Sequence, residues 1–99
     1  MTPDQILAYV NTSDLGLVPG KRTNPDGWAF WLNPPTSGVN SNRIFRAVRS
    51  SPDATTRLKL AVTSRLIEET DLDFTGDEAA LRDLIEKEIA LYRAHYDKN

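Results

Sequence analysis

His95 is the only histidine in the chain and cysteine is absent, so a histidine-based triad or an imidazole metal site has to be built around this one residue. It stands near the end of what reads as the last helix, about two turns beyond Glu88. A solitary histidine there suits a favourable charge at a helix C-terminus, and no catalytic residue and no metal site is assigned to it. A second candidate is Asp71, Asp73, Thr75 and Gly76, which match the opening of a calcium-binding loop. The match fails further on, because Arg82 stands where the loop needs a bidentate carboxylate. A capping box accounts for the same stretch, with Thr75 as N-cap of the last helix and Glu78 reaching back. A third, Gly16 to Thr23, has the look of a phosphate-binding loop, but it is one residue short. Arg22 also replaces the metal-binding hydroxyl, and Pro19 removes an amide. The expectation is a protein that is not an enzyme and takes no cofactor.

Two groups of residues remain that suit binding. Trp28, Phe30 and Trp31 lie in an aromatic run between Gly27 and Pro34. If it is extended, Trp28, Phe30 and Leu32 share one face and Trp31 points the other way, which leaves Trp31 partly exposed to a partner. Trp28, Trp31, Asn33, Thr36 and Arg43 are the candidate protein-binding residues, with 33–42 read as a surface loop rich in Asn, Pro, Ser and Gly. The second group is basic. Arg43, Arg46 and Arg49 are three apart, and Arg57 and Lys59 follow. On two helices joined at Ser50 and Ser51 they would form a helix-turn-helix-like nucleic-acid surface, suited to phosphates more than to base edges.

Composition sets the limits around these groups. With 99 residues, 39% hydrophobic and 26% charged, the chain reads as one globular domain, 1–99. No apolar run reaches the roughly 18 residues of a membrane span and no signal-peptide pattern opens the chain, so the expectation is a cytoplasmic protein without a membrane role. The net charge of −2 is unevenly spread: residues 1–40 carry −1, residues 41–67 carry +5, and the remainder carries −6. The simplest reading packs the basic middle beside the acidic end, which then shields the arginines.

The elements that must position these groups start with Thr2, Pro3 and Gln5: an N-cap, a proline at the first helical position and the other half of a capping box. The glycines and prolines from 14 to 27 predict a loop. Ile44 to Arg49 fits either a helix or a strand, and the Ser51–Pro52 cap signal tips it towards helix. From Pro52 to about Thr70 no glycine or proline intervenes, and Leu58, Ala61, Val62 and Leu66 make a stripe. Leu81, Leu84, Ile85, Ile89, Tyr92 and Tyr96 make another. The expected fold is mainly α, a bundle of about four helices at roughly 3–12, 42–50, 52–69 and 76–97, with 28–32 as a short strand or plug. The alternative is α+β, a small antiparallel sheet from 28–32, 43–49 and 57–67 covered by the first and last helices. The expected function is a non-enzymatic protein-binding module, with nucleic-acid binding as the alternative and a homo-oligomer left open.

Overall fold

A computed structural model of the chain describes residues 1–23, 26–32, 43–63 and 71–96. Its fold is α+β: helix α1 (Pro3–Thr12), then strands β1 (Leu17–Thr23), β2 (Asp26–Leu32), β3 (Arg43–Arg49), β4 (Arg57–Leu60) and β5 (Asp71–Asp73), then helix α2 (Glu78–Tyr96). The strands form one antiparallel sheet in chain order, β1-β2-β3-β4-β5. Among the described residues no helix is long and apolar enough to cross a membrane.

The mainly α bundle is therefore corrected to the sheet alternative, with two further strands. Residues 42–50 are not a helix, because Ile44, Phe45, Ala47 and Val48 pair with β2 on one side and β4 on the other. β-branched and aromatic side chains suit such a half-buried pleated surface. Nor do residues 52–69 form one helix: β4 occupies 57–60 and helix begins only at 61–63, with 64–70 outside the described residues. The predicted loop at 14–27 largely becomes β1. Its Pro19 is tolerated because β1 is an edge strand with β2 as its one neighbour, and the pairing shifts between Pro19 and Arg22.

α1 starts as its sequence dictates. The Thr2 side chain accepts from the Gln5 amide at 3.1 Å, and the Gln5 side chain accepts from the Thr2 amide at 2.8 Å. Pro3, Ile6 and Val10 are buried from this helix, and the Trp28 indole of β2 donates to Asp4 at 3.0 Å. The start of α2 is shifted from the expected Thr75. Asp77 is the cap, its carboxylate accepting from the Ala80 amide at 3.0 Å and its carbonyl from the Leu81 amide at 2.9 Å. Asp77→Ala is accordingly expected to lower stability by about 1 kcal/mol in urea unfolding, while Thr75→Ala changes it by only a few tenths. Equal losses at the two positions would return the cap to Thr75.

Both helices lie on one face of the sheet. Leu17, Phe30, Leu32, Phe45, Ala47 and Leu58 form one core with Ile6 and Val10 of α1 and Leu81, Ile85 and Tyr92 of α2. At its centre the rings of Phe30 and Phe45, paired across β2 and β3, stack at 4.6 Å. Glu88 lies on the same buried face of α2 and is only 2% exposed. Its Oε2 accepts from the amides of Val62 at 3.0 Å and Thr63 at 3.2 Å, and its Oε1 accepts from the Thr63 hydroxyl. One carboxylate thus caps the start of the helix at 61 from a different element.

Candidate binding face

Because strand residues alternate, the sheet has a second face, on which no helix packs among the described residues, while Gly27, Ala29 and Val48 along it are themselves buried. Its composition follows from the register. Ala29 pairs with Arg46, which pairs with Lys59, which pairs with Asp71; Gly27 pairs with Val48, which pairs with Arg57, which pairs with Asp73. Along the next row Val18 pairs with Trp31, and Trp31 with Arg43.

That last pairing depends on a bulge. Phe30 pairs with Phe45 but Trp31 pairs with Arg43, so Ile44 is the extra residue and turns into the core, fully buried. In a regular strand Arg43 and Arg46, three apart, would point to opposite faces. The bulge places both on the open face beside Trp31.

Trp31 is half-buried and does not stand upright from the sheet. A Cβ on Gly20 would overlap Cζ3 of its ring and lie 2.5 Å from Cη2, so the six-membered ring rests across β1 where glycine leaves room. Val18 beside it is 37% exposed, the one large exposed hydrophobic among the described residues. Arg46 is half-buried, and its Nε is enclosed from solvent with no hydrogen-bond acceptor among the described residues. Arg57 is shared with Asp73 at 3.4 Å, with both side chains more than half exposed.

The other sequence candidates separate from this face. Trp28 is on the helix-covered side and packs against the core. Arg49 ends β3 on that side too, its Nη1 donating to the Pro52 carbonyl at 3.2 Å. Asn33 and Thr36 lie outside the described residues, as does the rest of the 33–42 loop. His95 is exposed near the end of α2, and among the described residues no cluster of three or more His, Asp or Glu is placed to hold a metal ion. The helix-turn-helix arrangement is excluded, since Arg43–Arg49 and Arg57–Leu60 are neighbouring strands.

The acidic end does meet the basic middle, but through β5, where Asp73 pairs with Arg57 and Asp71 lies across from Lys59, and not through the outer face of α2. α2 packs on the core side, so the sheet stands between it and Arg43, Arg46, Arg57 and Lys59. Within α2 Lys87 pairs with Asp83 at 3.1 Å and Arg82 with Glu86 at 3.4 Å, and Arg82 also reaches Asp14, between α1 and β1, at 2.7 Å. The hydrogen bond and charge of Arg82 hold the Asp14 carboxyl below its ordinary range. Two open grooves on the helix side, of about 500 and 410 Å³, meet at Met1 and Gln5. The first carries Asp77 and Glu78 on its rim and the second Arg49.

Bulge and pleat therefore bring together four of the five basic candidates and the tryptophan proposed for a protein partner. No protein-family model, curated protein or solved structure matches the chain.

Proposed function

We propose that the protein works by binding, without chemistry of its own, and docks an anionic macromolecule on the open face of its sheet. The observation that carries this reading is the bulge at Ile44, which sets Arg43 and Arg46 on the same face as Trp31. Fixed cations grouped on one face attract a polyanion over a distance set by salt, and a half-buried tryptophan beside them adds contact area at little entropic cost. The two partner classes named from the sequence, a protein and a nucleic acid, would both use this surface.

Titration of the isotope-labelled protein with heparin, followed by amide chemical shifts, tests the surface. The expected result is change concentrated at Val18, Trp31, Arg43, Arg46 and Lys59, with α2 little affected, and weaker binding as salt rises. Shifts centred on the helices, or no binding at low salt, would remove the reading. The double variant Arg43→Gln, Lys59→Gln should elute from immobilised heparin at lower salt than the parent protein.

A further inference from the structure

We draw no further inference here: the strongest candidate, the open groove of about 410 Å³ where the start of α1 meets the β3–β4 turn and the segment after β5, carries nothing, because the one cation among its described lining residues, Arg49, already donates to the Pro52 carbonyl and nothing in the structure shows what would occupy it.

Discussion

Glu88→Ala is expected to lower the unfolding free energy by about 3 kcal/mol, among the largest losses for any single side chain outside the apolar core. The carboxylate is 2% exposed and accepts from the Val62 and Thr63 amides and from the Thr63 hydroxyl. Truncation removes all three bonds. It also leaves the Val62 amide, the first of these donors and fully buried, without water to replace its acceptor. A buried donor left unsatisfied costs about 1–3 kcal/mol, and the lost cap of a helix start adds up to about 2. Glu88→Gln keeps one acceptor of the same shape and should lose clearly less. In urea the two variants should fall in the order Glu, Gln, Ala at unchanged slope. A Glu88→Ala midpoint close to that of the parent protein would mean that helix 61–63 does not depend on α2 for its cap.

The same residue shows what was legible in the chain. Leu81, Ile85 and Tyr92 were read as a stripe, and Glu88 is seven residues from Leu81, two turns along the same line. A carboxylate in the middle of an apolar stripe is the signal for a buried hydrogen-bond partner. By contrast, the capping box of α1 could be read in full because its two hydrogen bonds are made by residues three apart. The aromatic strand and its two faces are also readable, since alternation is a local property.

What misled was the period of β3. Its burial runs half-buried, buried, buried and repeats, so that Arg43, Arg46 and Arg49 recur every third residue, close to a helical period. The bulge at Ile44 produces the first of those intervals, and the second is a true change of face: Arg46 is on the open side and Arg49 on the helix side. A bulge is set by the partner strand, which a single segment does not display. β1 was hidden for a related reason. Pro19 and Gly20 are turn residues in isolation, but in an edge strand one costs no ladder bond to a second neighbour and the other makes room for Trp31. The binding face was therefore visible as a list of residues and not as a surface, since the pleat and one bulge decide which of them meet.

Gly27→Ala should cost about 3 kcal/mol, while Gly20→Ala, on the same face, should cost less than about 1. The difference lies in what each new methyl group meets. At Gly27 it would run into the carbonyl oxygen of Ala47 and lie 2.6 Å from Val48 Cγ1 and 2.8 Å from Val48 Cα. Two of those three atoms are backbone of β3, so relief requires β2 to move away from β3 at the Gly27–Val48 pair. This disturbs the ladder that holds the Phe30–Phe45 stack and the pairing of Trp31 with Arg43. At Gly20 the nearest atoms the new group meets are the far end of the Trp31 side chain, a half-buried ring that can swing off an edge strand. Gly27→Ala is thus a test of the register and Gly20→Ala a test of the seat of the Trp31 ring. Urea unfolding should give the first a much lower midpoint and the second nearly the parent value. If Gly27→Ala unfolds at the parent midpoint, glycine is not held against β3 there, and the register that puts Arg43 and Arg46 beside Trp31 loses its support.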